Sequence, residues 1–483
     1  MRKVLAGIVT VVFALSACSA VGLAARQIPK PQKIVAFLDT VLTPQTGQAQ
    51  FCAEYKKQTG IELKIIQPVH NQYYEKLRLS FASGDIPDVV EIAESNYVQY
   101  SGDGAFVDLS KYVKASIPLR KAVKLFDQYR IKGKLYGIPV GVTNGPVTYI
   151  RQDWLSKLHL KAPTTWTEYY NMLKAFTYND PDQNGKNDTY GVTAGSTGEG
   201  GVSLADNSYR EFYQNASPDF IKRNGKWVDG FMQKEFKSAL GRLRQAYKEK
   251  LIDPEIFTNK SSTCREKFES GKAGVFTYWA GLWQTRLEDD LQKNLGKTAT
   301  IISIPALKGS YYLGKVQAVN AITVKAKNPQ GIFKYFLEYC NDGNKGQMLF
   351  CHGVENVHWK KANGSIIALP ALDNPKETVQ KTFRAPAEVI VPWAGGKDPI
   401  PLDKRISQSL RNFKVNYKPA RLQVYTDSRR KIEDALNKAR NDVFVRTLIE
   451  NRTVDQALAE YKKNYAKLKV DQVLKEMNAK DHN

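Results

Sequence analysis

Cysteine and histidine are scarce in this chain, five of each in 483 residues, and their scarcity excludes several chemistries. The histidines, His70, His159, His352, His358 and His482, form no HExxH spacing, which removes the zincin type of metalloprotease. No G-x-S-x-G elbow occurs, so the hydrolase nucleophile of that design is missing too. Gly195-Ser-Thr-Gly-Glu-Gly-Gly201 is rich in glycine but lacks the Lys-Ser/Thr that would hold phosphates. No helix-turn-helix, zinc finger, RNP run or internal repeat is present, which argues against nucleic acid and against a repetitive surface adhesin. Past the N-terminus no apolar run reaches transmembrane length; residues 137–149 come nearest and are too short and too polar.

The N-terminus itself is informative. Met1-Arg-Lys, the apolar run from Val4 to Leu15 and the sequence Leu15-Ser-Ala-Cys18 describe an export signal, too short to remain a membrane span. Cysteine at the cleavage position resembles the bacterial lipobox, which implies that Cys18 becomes a lipid-bearing N-terminus. Several acyl chains supply the anchoring that one alone does not. The expected location is the outer face of a bacterial membrane. The other four cysteines, Cys52, Cys264, Cys340 and Cys351, permit two bridges and require none; Cys340 with Cys351, closest in sequence, is the first pair to test.

A formal charge of +23 speaks to long-range attraction rather than to fold. Two readings stay open: a basic surface held beside anionic headgroups and wall polymers, or attraction of an acidic ligand. The first is favoured because Lys and Arg are spread along the chain rather than clustered.

Lys33–Leu38, Glu62–Ile66 and Asp88–Ile92 read as strands, with helices at residues 47–59 and 73–82 between them, the second carrying Leu77, Leu79, Phe81 and Ala82. Alternation of this kind predicts a parallel α/β sheet with ligands beyond the carboxyl ends of its strands. Tyr136–Val140 and Val147–Arg151 are further strands around the polar loop Thr143–Pro146, and from Arg429 two amphipathic helices follow, Thr453 and Gln456 forming a capping box for the last.

Ser80-Phe-Ala-Ser-Gly-Asp-Ile-Pro-Asp-Val-Val90, Gly133-Lys-Leu-Tyr-Gly-Ile-Pro-Val140, Tyr149-Ile-Arg-Gln-Asp-Trp-Leu155, Pro163-Thr-Thr-Trp-Thr-Glu168, Phe268-Glu-Ser-Gly-Lys-Ala-Gly274 and Gly353-Val-Glu-Asn-Val-His-Trp359 occur in this order. The ordered set resembles the family 1 extracellular solute-binding proteins, in particular their oligosaccharide-binding lipoproteins. The resemblance implies a two-lobed α/β fold of the periplasmic-binding-protein type (type II), hinge strands joining the lobes, and a cleft that closes on a sugar. It also implies a monomer that hands its carbohydrate ligand to the permease subunits of an ABC importer. The expected division is a signal peptide at 1–17, an anchored linker at 18–32, a first lobe at 33–145 and 277–324, a second at 146–276 and 325–428, and C-terminal helices at 429–483 near the hinge.

Sugar recognition needs rings for stacking and polar groups for hydroxyls. Tyr278, Trp279 and Trp283, after a strand at 275–277, and Trp393, in a Pro/Gly-rich loop, are the predicted stacking residues; Trp154 and Trp166, at helix starts, are predicted to pack. Asp39, Glu94, Ser95 and Asn96 on the first-lobe rim, Asn144 at the crossover, and Glu355 and Arg384 in the second lobe are the predicted polar partners. Asp180-Pro-Asp-Gln-Asn-Gly-Lys-Asn-Asp188 reproduces the first part of an EF-hand loop. Asp180, Asp182, Asn184, the Lys186 carbonyl and Asp188 are the predicted ligands of a structural Ca²⁺. Position 12 is Gly191, and Thr189 stands where the alginate-binding relatives have an acid, which leaves the remaining ligand open. An Asx-type turn without metal is the alternative. The function predicted is capture of a sugar without catalysis; a glycosidase, which needs only two carboxylates, and a surface adhesin are the other classes.

Overall fold

The computed structural model describes residues 28–39, 42–69, 72–195, 208–363, 365–369, 388–419 and 422–481. The expected signal segment, Cys18 and Arg384 lie outside them, and of Glu94 and Ser95 only the backbone is described. Among the described residues no helix is long and apolar enough to cross a membrane.

Two apolar cores organise the chain. In the first, β1 (Lys33–Phe37), β2 (Glu62–Ile66) and β3 (Val89–Ile92) run parallel; β1 and β3 are near-continuously apolar, as inner strands of such a sheet are, while β2, with Glu62 and Lys64 exposed, is its edge. Helices α1 (Gln48–Thr59) and α2 (Tyr73–Ser83) make the crossovers; each ends on a glycine at positive φ, Gly60 and Gly84, which caps the last turn without a Cβ penalty. Leu77 is buried, whereas Leu79 is 52% exposed, so the apolar face of α2 is narrower than its sequence implies. β12 (Val319–Ile322) joins antiparallel to β3, and β4 (Ile138–Pro139) completes the order β2-β1-β3-β12-β4. Helix α3 (Glu94–Gly102) follows β3 at the carboxyl rim.

The second sheet has the order β10-β5-β9-β6, from β5 (Pro146–Arg151), β6 (Tyr190–Val192), β9 (Ala273–Trp279) and β10 (Ile301–Ser303). Helix Trp166–Tyr178 packs on it, started by Thr165 and Glu168 in a reciprocal capping box. Trp154 is fully buried, meeting Phe176 edge to face, and Trp166 packs on Tyr169, Tyr170 and Phe212, so both are packing residues. A hairpin, β7 (Phe220–Arg223) and β8 (Lys226–Asp229), stands beside this sheet.

The expected lobe limits are corrected by the cores. Leu287, Leu291, Ile301, Ile304 and Tyr312 share a core with Val147, so residues 277–312 belong to the second lobe. Ile332, Phe336, Leu349, Phe350, Ile390 and Val391 share a core with Val89 and belong to the first. The chain therefore changes lobe at 139–146, again at 313–319, and a third time between Val391 and Phe413. The tail is three helices, Asp427–Leu448, Val454–Lys467 and Val470–Lys480, because Lys469 adopts a left-handed conformation that interrupts the pattern. The Thr453–Gln456 box forms, on the middle helix. These helices bury Leu436, Phe444, Tyr461, Val473 and Met477 in the second core rather than lying at the hinge. Cys52, Cys264, Cys340 and Cys351 are not joined by disulfides, so the Cys340–Cys351 bridge does not form.

Candidate functional site

The lobes are tied by three crossings laid edge to edge. Val140 N–H donates to the Ala318 carbonyl (2.9 Å) and Lys315 N–H to Asn144 O (2.8 Å), while Val142 N–H donates to Glu388 O (2.8 Å) on the other side. Residues 140–144 thus run between 315–318 and Glu388. Close approach is built in: a Cβ on Gly145 would stand 2.3 Å from the Leu313 carbonyl oxygen. Asn144 is 2% exposed, and its amide donates to Glu388 Oε1 (2.9 Å) and Ala280 O (3.2 Å) while its Oδ1 accepts from Gly145 N–H (2.7 Å). It braces the hinge. Burial pushes the Glu388 carboxyl up to about 7, the Asn144 amide pulling it back.

A cavity of about 1080 Å³ opens beside these crossings. The first lobe contributes Val98 on α3. The second contributes the β7–β8 hairpin with Phe220 and Trp227, and the floor residues Asn215 and Ser217. The hinge segments contribute Pro146, Tyr311, residues 313–316, Lys418, Pro419, Leu422, Gln423 and Tyr425. Its size is at the top of the roughly 300–1000 Å³ range of small-molecule sites, room for several sugar rings.

The predicted binding residues are distributed elsewhere. β9 continues through Tyr278 and Trp279 instead of ending before them, and Trp283 lies in the helix Leu282–Leu295. Tyr278 is buried edge-on against Trp283 (4.6 Å), whose ring already carries the Arg286 and Arg265 guanidinium groups at 4.4 and 5.3 Å. Trp279 sits at the hinge end of β9 opposite Pro146, with Lys315 Nζ 5.8 Å from its ring. Trp393 is 9% exposed and stacks on His352, which pairs with Asp398 at 2.7 Å. Asp39 and Asn96 are half-buried at the first-lobe rim as expected. Glu355 belongs to the first lobe, not the second, and is exposed beside Lys361 (3.6 Å).

Around Glu355 other residues carry the structure. His358 Nδ1 accepts from Val354 N–H (2.9 Å), which leaves the proton on Nε2 to donate to Thr46 O (2.8 Å). A Cβ on Gly47 would meet His358 Nε2 at 2.8 Å. The loop from Gly353 to Trp359 therefore clasps the Thr43–Gly47 turn of the first-lobe rim. None of the predicted residues with described side chains lines the cavity; Tyr311, Lys315, Lys418, Tyr425 and Trp227 do. The run Tyr311-Tyr312-Leu313-Gly314-Lys315, aromatics and a glycine between two strands, is the signal that could have found them.

The Asp180–Asp188 loop follows helix Trp166–Tyr178. Asp180 accepts from the N–H groups of Asn184 (3.0 Å) and Gly185 (2.9 Å), and the Asn184 amide donates to Asp182 (2.9 Å) and Asp188 (3.1 Å). Lys272 neutralises Asp188 at 2.7 Å and lowers its pKa. Burial and the neighbouring Asp180 raise that of Asp182, whose Oδ1 is buried without a partner. Among the described residues no three His, Cys, Asp or Glu form a metal cage by themselves. The orphaned oxygen beside two further carboxylates nevertheless fits a cation. The departures from an EF-hand have local causes: Thr189 turns to donate to Phe176 O (2.7 Å), and a Cβ on Gly191 would collide with Leu173 at 2.9 Å.

The profile of the bacterial extracellular solute-binding protein family matches residues 40–339. Lipoprotein LipO of Bacillus subtilis is 28% identical over 328 residues, 65% of this chain and 64% of LipO. The polygalacturonan/rhamnogalacturonan-binding protein YtcQ of the same organism is 30% identical over 236 residues, 46% of this chain and 45% of YtcQ. These matches thus span less than two thirds of either relative. The crystal structure of the alginate-binding protein AlgQ2 without calcium ion superposes with a TM-score of 0.66 at 22% identity, covering 93% of this chain and 98% of that one.

Proposed function

The chain belongs to the bacterial extracellular solute-binding protein family, and from that premise we propose that it captures an oligosaccharide between its lobes and delivers it to the permease of an ABC importer. The observation that carries this reading is the cavity of about 1080 Å³ set against hinge crossings and walled by aromatic side chains. A cleft of this kind gains contacts when it closes, and the difference between open and closed forms is what a permease can read. Relatives named for polygalacturonan, rhamnogalacturonan and alginate support a sugar polymer fragment as ligand. Binding without turnover is the role in this reading.

Two further features belong to the proposal. Cys18 carries the lipid anchor that keeps the protein at the outer membrane face; Cys18→Ala should release it to the soluble fraction with its fold intact. A structural Ca²⁺ is held by Asp180, Asp182, Asn184, the Lys186 carbonyl and Asp188, with water for the rest, and when bound it crosslinks the loop. A thermal-shift screen of neutral and acidic oligosaccharides tests the main reading, since a ligand of the folded state raises its midpoint. Incubation with the best hit should leave the sugar uncleaved. A panel without any stabilising sugar, or cleavage of the hit, would overturn it.

A further inference from the structure

One face of the first lobe is basic and carries aliphatic side chains turned outward. From Leu109 to Phe126 the chain has five cations and no Asp or Glu. It folds as α4 (Ser110–Ala115) and two further helical turns, Leu119–Ala122 and Val123–Phe126, anchored in the first core by Val113, Leu119 and Phe126. Those anchors leave Lys111, Lys114, Arg120, Lys121 and Lys124 outside, all exposed and none with a carboxylate partner among the described residues. Ile117 is 65% and Val123 40% exposed among them. Three acids flank the face: Asp127 is taken up by Arg130 (3.2 Å), Asp108 is turned to the Ser110 N–H (3.0 Å), and Asp103, exposed in the turn before Ala105, lies at the border.

A second segment carries the face towards the start of the chain. Val324 N–H donates to Ala105 O (2.9 Å), which lays the exposed Val324, Lys325 and Lys327 beside the approach to α4. Asn328 then caps the next helix, Pro329–Ile332, and its amide also donates to Pro29 O (2.8 Å). Tyr335, further along, donates to Ile28 O (3.4 Å), and between the two Phe333 meets Tyr112 of α4 with ring centres 5.4 Å apart. Ile28 and Pro29 are thus fastened to the helix that abuts α4. Ile28 is ten positions after Cys18, and ten residues reach no further than about 36 Å. A lipid on Cys18 therefore keeps this side of the first lobe near the bilayer.

We propose that this face docks on the anionic bilayer surface, its lysines and Arg120 against lipid phosphates and Ile117 at the headgroup boundary, so that the first lobe sits on the membrane in one orientation. The inference rests on the proposed anchoring at Cys18. Cations gain from an anionic surface within about one Debye length, ~8 Å at physiological salt, and an aliphatic group in the interface adds burial that salt does not screen. Each contact is weak alone. A short tether makes up the difference, because it holds a weak site at an effective concentration in the millimolar range. Without the tether the face does not retain the protein at physiological salt, in keeping with the release expected of Cys18→Ala.

The test is co-sedimentation of the unacylated mature chain, from residue 18, with vesicles at low ionic strength. It should bind vesicles of one part phosphatidylglycerol to two of phosphatidylcholine and not those of phosphatidylcholine alone. Lys111→Gln, Lys114→Gln, Arg120→Gln and Lys121→Gln together should weaken binding about tenfold, and Ile117→Asn about threefold. Lys431→Gln, Lys438→Gln, Lys462→Gln and Lys467→Gln, exposed on the C-terminal helices, remove the same charge and should leave binding nearly unchanged. Hydrogen exchange of the wild-type chain on these vesicles, which needs no variant, should slow at residues 110–124 and not in the C-terminal helices. Equal losses in the two sets would make the attraction a property of total charge and overturn the docking face. Failure to bind the anionic vesicles, with or without binding to lipid-free teichoic acid, would overturn it too. Either result leaves the anchor standing, since that is read separately from the membrane fraction of Cys18→Ala.

Discussion

The two lobes reach stable cores with different materials. In the first, strands such as Val89-Val90 and the segment from Ile332 to Phe350 bury aliphatic and aromatic groups. The first pairs its one buried carboxylate in that segment, Glu338, with the largely exposed Lys334, whereas the second buries ion pairs more deeply: Arg440 meets Asp229 at 3.0 Å, Tyr461 donates to the same carboxylate at 2.5 Å, and Asp253, fully buried, is held by Lys267 at 2.7 Å. A core of apolar packing loses stability by degrees when trimmed. A core with paired ions fails when one partner is removed, because the other is left buried and uncompensated.

The largest expected effect follows from that difference. Arg440→Met strands Asp229 in the second core and should cost about 3–5 kcal/mol, measured by denaturant unfolding. Removing the stranded charge as well, with Asp229→Asn, should recover part of the loss; a single variant as stable as wild type would break the contrast. In the first core, Leu337→Ala leaves a cavity at a fully buried position and should cost about 2–5 kcal/mol, with no pH dependence of its own.

A smaller effect should appear on removing calcium. The Asp180–Asp188 loop joins elements of the second lobe, so a chelator should lower the unfolding of that lobe and spare the first. Asp180→Ala with Asp182→Ala should abolish the sensitivity. An unchanged midpoint in the wild-type protein would remove the metal.

The smallest effect is a pH slope. Burial pushes Glu269 and Glu433 of the second lobe up to about 7 from an ordinary 4.5. Such groups bind more protons folded than unfolded, so the stability they contribute is complete below about 4.5 and is lost as pH rises through 7. In the first lobe the exposed Glu62, lowered by Lys33, and Asp108, lowered by hydrogen bonds from Ser110, slope the other way and at lower pH, while Glu388 at the hinge, raised to about 7 by burial, shares the slope of Glu269 and Glu433. Calorimetry between pH 4.5 and 7.5 should show the second lobe weakening as pH rises, and Glu433→Gln should flatten that slope; parallel behaviour of both lobes would remove the distinction.

Local signals were legible where local chemistry decides them. The strands at 33–37 and 62–66 follow from their apolar residues, and the start at Thr165–Glu168 follows from a capping box four residues long. Lobe membership of residues 277–428 was not legible, because it depends on which distant core Leu287 or Phe336 joins, and their own neighbours in sequence do not say. The site escaped for a related reason. Rings were expected in loops, yet Tyr278 and Trp283 are consumed by packing on one another. Lys315 and Lys418, 103 positions apart in sequence, line one cavity because two very short strands pair Leu313 with Lys418. In Gly353–Trp359 the loop is held by His358 and by Trp359, whose indole donates to Gly353 O at 3.1 Å, while Glu355 stays exposed beside Lys361.

The triple crossing at the hinge has a mechanical meaning. Three chain segments bonded along their edges, with Gly145 pressed against the Leu313 carbonyl and Asn144 pinned on both sides, resist sliding along their length far more than bending across it. Such a joint would bend more readily than it slides, so a small displacement beside it would swing the far rim of a lobe through a larger arc.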